Sequence, residues 1–380
     1  MPKFDYIIIG AGASGLMLAH RMVQDDHFRD RSILLLDKSD KSINDRTWCF
    51  WEKGEGRFDH LIHKTWPLIH FAGRHLHKTT DIAPYQYKMI RGLDFYEYHL
   101  EQLKAYPNIS FEIDEVDSLV ETEDRVEVKG AMGTYEGQAV FTSILDRKVM
   151  FAQKRFPVLQ QHFIGWFIKT EKPIFDVKAA RFMDFSIPQK GNTRFMYVLP
   201  FSETHALIEY TLFSADLLET HEYESAITDY IETHFGPITY EIVEKERGNI
   251  PMTCYEFEKH NSKRIAHLGI AGGWAKPSTG YTFHRSMSRV DKLVAFTKTG
   301  KPFTAFSNKN KFWYYDLLLL DVLYQDNALG RQVFEAMFEK RSPQSIFKFL
   351  DDETSLREDF LMINSCPKWP FTKALIKRLF

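Results

Sequence analysis

The sequence predicts an α/β fold: a parallel-sheet domain, an antiparallel sheet interleaved within it, and a helical C-terminal region. Three observations predict this. An apolar strand runs into G-x-G-x-x-G near the N-terminus, short strands recur between residues 150 and 250, and a glycine-rich strand-to-helix segment returns near residue 265. The 380 residues suit about two domains.

The first element is Tyr6-Ile7-Ile8-Ile9-Gly10-Ala11-Gly12-Ala13-Ser14-Gly15. Residues 17–23 read as a helix, and residues 32–36 as a strand ending at Asp37. Strand, glycine turn, helix, strand and acid in this order are the fingerprint of a dinucleotide-binding βαβ unit. Gly10 turns tightly off the strand, Gly12 removes a side chain where a pyrophosphate must approach, and Gly15 lets helix and strand pack closely. The helix start offers N–H groups and a positive dipole end to the phosphates. Asp37, with Lys38 after it, lies where a ribose would be held. The cofactor-binding candidates here are Gly10, Ala11, Gly12, Ser14, Gly15, Asp37 and Lys38. A tight turn without a ligand is the plainer alternative.

Residues 46–105 read as irregular and aromatic, closing in a helix over 94–104. Residues 109–113 and 125–128 alternate and read as strands. Residues 139–145 are an apolar, β-branched run that returns to the first sheet and ends at Asp146-Arg147. Residues 163–168, 181–187, 194–200 and 206–213 are strands at short intervals, with Gly191-Asn192 as a turn. They predict an antiparallel sheet, followed by a helix over 222–234. Residues 265–273 are a strand ending in small residues, and a helix opens near Phe283. From Trp313 onward the periodicity is helical.

The domains therefore interleave. Residues 1–150 and 250–310 form a discontinuous, Rossmann-like FAD/NAD(P)-binding domain. Residues 151–249 form an antiparallel substrate domain, and residues 311–380 a helical region. A second glycine-rich contact far downstream suits a long bound FAD better than a diffusing NAD. Gly269, Gly272 and Gly273 join the cofactor candidates, an ordinary helix start being the alternative.

A net charge of −2 gives no footprint for nucleic acid. Cys49, Cys254 and Cys366 are odd in number and far apart. They predict a reduced, cytoplasmic setting and no metal site. The first strand begins too early for a signal peptide, and no apolar run approaches the roughly 18 residues of a membrane span. Aromatic residues make up 15% of the chain, enough for large aromatic walls in a core or a ligand cavity.

Several stretches are more specific than the glycine turn. They are Asp45-Arg46-Thr47-Trp48-Cys49-Phe50-Trp51-Glu52, Leu159-Gln160-Gln161-His162-Phe163-Ile164-Gly165-Trp166, Arg181-Phe182-Met183-Asp184-Phe185, Tyr197-Val198-Leu199-Pro200-Phe201-Ser202, Leu207-Ile208-Glu209-Tyr210-Thr211 and Lys276-Pro277-Ser278-Thr279-Gly280-Tyr281. On these the chain resembles the bacterial, flavoprotein-type lycopene β-cyclases over nearly its whole length. The resemblance implies an intramolecular lyase, in net effect an isomerase, that folds the ψ-ends of lycopene or a related acyclic carotenoid into β-rings. It implies FAD in its reduced form, with NAD(P)H as reductant. The chain departs from the family pattern at Ile208, where a second acid often stands, at Ile270 after Gly269, and at Lys276 in place of a histidine. An FAD-dependent monooxygenase or a polyprenyl or carotenoid reductase of the same fold is the competing reading.

The substrate has no polar handle, so the site needs an acid, a cation stabiliser and a base away from water. Read as a strand, Glu209 shares a face with Leu207, Thr211 and Phe213, and such neighbours raise a carboxyl pKa. From the residues alone a strand carboxylate paired with Lys or Arg is the favoured reading; the resemblance reverses this and makes Glu209 the catalytic acid. Trp48, Phe50, Trp51, Trp166 and Tyr210 are candidates for an aromatic wall or for core. Asp184 is a candidate second carboxylate or one side of an ion pair. Arg91, before a helix, reads as an FAD contact by resemblance or as a solvated surface residue. The C-terminal residues 370–380 place Phe371, Leu375 and Leu379 on one stripe and Lys373 and Lys377 on another. They suit either a peripheral contact on the inner face of the cell membrane or a helix packed on the domain.

Overall fold

A computed structural model describes residues 1–307 and 309–379. β1 (Lys3–Ile9) passes through the glycine turn into α1 (Ala13–Val23), and β2 (Ile33–Asp37) follows, buried along its whole length. β3 (Thr47–Lys53), β4 (Lys64–Trp66), β5 (Leu68–Ala72), β6 (His77–Asp81) and β7 (Tyr85–Arg91) precede α2 (Gly92–Leu103). β8 (Ile109–Ile113), β9 (Val116–Glu121), β10 (Val126–Gly130) and β11 (Thr134–Thr142) lead to the short α3 (Arg147–Ala152). β1 lies between β2 and β11, β8 flanks β2, and β17 (Ile265–His267) pairs with β11. These five strands are parallel, while β9 and β10 extend the sheet as antiparallel strands.

The second sheet is built from β12 (Val158–Thr170), β13 (Ala179–Asp184), β14 (Thr193–Ser202), β15 (His205–Ser214) and β16 (Tyr240–Thr253), in the order β16-β12-β15-β14-β13-β5-β6. Only the β13–β5 pairing in it is parallel. α4 (Thr220–Phe235) covers one face, its start fixed by a capping box between Glu219 and Glu222. Ile164, Trp166, Ile168, Ile208, Tyr210 and Leu212 face it.

The other face meets a small sheet, β3-β7-β4, and the C-terminal helices. α5 (Phe283–Thr297) returns to pack on α1. α6 (Lys311–Gln325), α7 (Leu329–Lys340), α8 (Pro343–Leu350), α9 (Leu356–Ile363) and α10 (Lys368–Leu379) close the molecule. Ser342 caps α8 ahead of a proline, and Ser355 and Glu358 form a capping box on α9.

Residues 46–105 are not irregular. They supply β3 to β7, and β5 and β6 enlarge the second sheet. The alternation is masked because β3 is buried on both sides: Trp48 and Phe50 pack toward α2 and α5, while Cys49 and Trp51 pack toward the second sheet. A strand buried on two faces has no polar phase to read.

Candidate active site

The glycine turn is shaped by close approach. A Cβ at Gly15 would lie 1.9 Å from the Gly10 carbonyl oxygen, and Gly10 itself holds φ +103°. Gly12 caps α1 and faces open space. The Ala11 amide donates to Asp37 Oδ2 at 2.6 Å, and Lys41 Nζ stands 2.9 Å from the same oxygen. Ser14 and Ser286 share a hydrogen bond of 3.0 Å between α1 and α5.

Gly269 and Gly273 hold positive φ, and a Cβ on Gly269 would meet Ser14 Oγ at 3.1 Å. The downstream glycine segment, with Gly272 in its turn, therefore lies on the start of α1. Beside it, Trp274 Nε1 and Thr279 Oγ1 are buried without hydrogen-bond partners among the described residues. Such groups await a polar ligand or water. The side chains of two candidates make other contacts. Lys38 is exposed, 3.9 Å from Glu115. Arg91 pairs with Glu244 at 2.5 Å and lies over the Phe167 ring, facing the second sheet.

Glu209 sits on β15 at 8% exposure, among Leu207, Phe213 and Phe195. Thr211 Oγ1 donates to its Oε1 at 2.5 Å. The register aligns Tyr197, Glu209, Gly165 and Glu246 across β14, β15, β12 and β16. The glycine between the two acids matters: a Cβ there would meet Leu207 at 2.8 Å and Glu246 Cγ at 3.1 Å. Gly165 thus lets the Glu246 side chain lie across β12 toward Glu209.

Burial, and then the Glu246 carboxyl, push Glu209 well above the ordinary carboxylate range. Burial also raises Glu246, with hydrogen bonding and the Arg91 charge opposing it. Glu246 keeps partial solvent access on the edge strand β16. Two acids so placed titrate as a coupled pair, and Glu209 is the one raised further above the ordinary carboxylate range.

Tyr281 closes the site. Its hydroxyl lies 3.1 Å from that of Tyr197, and its ring meets Trp51 edge-on at 4.6 Å between centroids. Burial raises the Tyr87, Tyr197 and Tyr281 hydroxyls and the Cys49 thiol, so all stay neutral.

Of the aromatic-wall candidates, only Trp51 shares this cluster with Glu209. Trp166 and Tyr210 lie on the opposite face of the sheet, under α4, and Trp48 and Phe50 pack against α5. Asp184 is a structural acceptor. Against its burial, hydrogen bonds from Ser186 and Tyr230 hold its carboxyl below the ordinary value, with Arg181 at 3.4 Å. The partner acid is Glu246, which the sequence reading missed. Only strand register could have found it, because Glu209 and Glu246 meet across an intervening strand.

The family model described as lycopene cyclase protein matches residues 5–376. A lycopene beta-cyclase from Pantoea ananas is 25% identical over 305 residues, covering 77% of this chain and 75% of that protein. One from Paracoccus sp. (strain N81106 / MBIC 01143) is 30% identical over 160 residues, 41% of each chain. A geranylgeranyl bacteriochlorophyll reductase-like protein from Thermoplasma acidophilum shares the fold at TM-score 0.59 and 12% identity, over 99% of this chain and 96% of that one. The halogenase PltM, solved with phloroglucinol and FAD, does so at TM-score 0.62 and 11% identity, over 97% and 87%.

Proposed function

We propose that this chain, which belongs to the lycopene cyclase protein family, is a lycopene β-cyclase that closes the ψ-ends of lycopene into β-rings with no net redox change. One observation carries the reading: a carboxyl pair, Glu209 and Glu246, set on an apolar sheet face under aromatic side chains. Such an acid keeps its proton to higher pH than a free carboxyl does and can give it to a hydrocarbon double bond.

Glu209 protonates the terminal double bond. The resulting cation closes the ring, and a different proton then leaves. Glu246, partly open to water, accepts that proton or resupplies Glu209 from solvent. The faces of Trp51, Tyr281 and Phe182 lie in the same cluster and favour a cation by their π-density. Apolar burial, at about 25 cal/mol per Å², holds the polyene.

Gly10, Ala11, Gly12, Ser14, Gly15, Asp37, Gly269, Gly272 and Gly273 would hold FAD, with the buried Trp274 and Thr279 polar groups, unpartnered among the described residues, beside them. Bound FAD, kept reduced by NAD(P)H, would supply negative charge near the cation.

Among the described residues no helix is long and apolar enough to cross a membrane. Peripheral contact on the inner face of the cell membrane is supported by exposed Leu356, Phe360, Trp369, Ile376 and Leu379 on α9 and α10, beside Lys368, Lys373 and Lys377. The stripe read from the sequence shifts: Phe371 and Ala374 pack inward, and Trp369 joins the exposed side. Phe380 lies outside the described residues.

The test is Glu209→Gln. It should retain FAD and lose cyclisation by roughly a hundredfold or more, the scale of a general acid. Near-normal turnover would remove Glu209 from the role. Product formed in proportion to NAD(P)H consumed would favour the monooxygenase or reductase reading.

A further inference from the structure

Three arginines distant in sequence converge on one cavity. Arg46 precedes β3, Arg147 opens α3 just past β11, and Arg247 stands on β16. With His162, Tyr223 and Asn249 among their neighbours they line a space of about 350 Å³ that contains no carboxylate side chain.

The charges there are poorly compensated. Arg247 makes no hydrogen bond or ion pair among the described residues. Among the described residues the Arg147 side chain donates only to the backbone carbonyl of Asn249, at 3.0 Å. Arg46 donates to the Asp45 carbonyl, and the Asp45 carboxylate stands 3.9 Å away. His162 adds no charge. Its ring is buried between Ser214 and Tyr223, and burial pushes its pKa down to about 4. Three guanidinium groups that share one distant carboxylate, Asp45 at 3.9 Å from Arg46, repel one another, and an anion would relieve them.

Position narrows the choice of anion. Arg147 lies just beyond the carboxyl end of β11, and Ser143 on that segment touches the Gly10 turn. Ligands of open α/β sheets bind outside the carboxyl ends of the parallel strands. The cavity also lies on the α4 side of the second sheet, because Tyr223 packs there, whereas Glu209 faces away. A carotenoid carries no charge to place in it.

The geometry points to a docking site for the phosphate groups of a nicotinamide dinucleotide, the reductant that keeps the flavin reduced. Arginine forks match phosphate oxygens in pairs. The inference rests on the cyclase reading for the need of a reductant, and its test is separable from that reading. Diphosphate chemistry is shared with FAD itself, so the two sources are told apart directly.

The experiment is calorimetric titration of the flavin-loaded protein with NADP⁺, and separately with inorganic pyrophosphate, for the wild type, Arg247→Glu and Arg147→Gln. NADP⁺ affinity should fall roughly tenfold or more in each variant, the scale of a lost charge-assisted hydrogen bond. Pyrophosphate should compete with NADP⁺ in the wild type. FAD content per chain, and cyclisation with dithionite-reduced flavin, should be unchanged. Unaltered NADP⁺ affinity would overturn the assignment. So would parallel loss of FAD from both variants, which would give the cavity to the flavin's own diphosphate. A wild type that binds NADP⁺ through these arginines but leaves lycopene untouched would refute the cyclase reading and not the site.

Discussion

At the residue scale the account turns on Glu209, Gly165 and Glu246. Glu209 has a raised pKa in the folded chain, so it binds more protons folded than unfolded. Stability at this site is therefore fully present below the ordinary carboxylate pKa and is lost as pH rises toward the raised value. Glu209→Gln should raise the melting temperature more at pH 8 than at pH 4, and an equal shift at both would contradict the burial argument. Gly165→Ala tests the geometry between the acids. The new methyl must move Leu207 or Glu246, at roughly 1–3 kcal/mol, and kcat should fall while FAD content holds. The burial of Glu209 on β15 was legible from its apolar alternation, whereas the role proposed for it came from the family resemblance. Its partner acid was not legible, because a contact across a third strand leaves no trace in local sequence. The ion pair of Arg91 was hidden for a related reason: its partner, Glu244, comes from a distant strand.

At the element scale, long periodic segments were readable and doubly buried ones were not. The glycine turn, β12 to β15, α4 and α5 follow from alternation, turn residues and helical spacing. β3 and β7 hide between two cores, so their aromatic residues read as irregular chain. The last helix shows the limit of a stripe argument. Three-residue and four-residue spacing identifies an amphipathic face but not which side the protein keeps. The structure keeps Phe371 and Ala374 and ties Arg378 to Asp321 at 2.7 Å. Deleting the helix would therefore unsettle the domain. The sharper test is Trp369→Glu with Ile376→Glu, both exposed. Binding to vesicles containing anionic lipid should fall while thermal stability is preserved; undiminished binding would place any membrane contact elsewhere.

At the scale of the whole molecule, distant segments are joined by buried charge. Lys276, 1% exposed, lies 3.0 Å from both Asp316 and Asp352, and Arg285 holds Asp352 at 2.8 Å. This network ties the segment before α5 to α6 and to the turn after α8. Removing one partner strands the others. Lys276→Met should cost roughly 3–5 kcal/mol, read as a lower urea midpoint, and Asp316→Asn in the same chain should recover part of it. No sequence pattern announces such a network, because Lys276 precedes α5, Arg285 lies in α5, Asp316 in α6 and Asp352 just after α8.

The most direct measurement is mass analysis of the carotenoid after anaerobic incubation in D₂O with purified protein, chemically reduced FAD and lycopene. An acid fed by solvent through Glu246 predicts a ring-closed product carrying one added deuterium for each ring and otherwise isomeric with the substrate. A product enriched in hydrogen or oxygen, a ring closed without deuterium, or an unchanged polyene would contradict it.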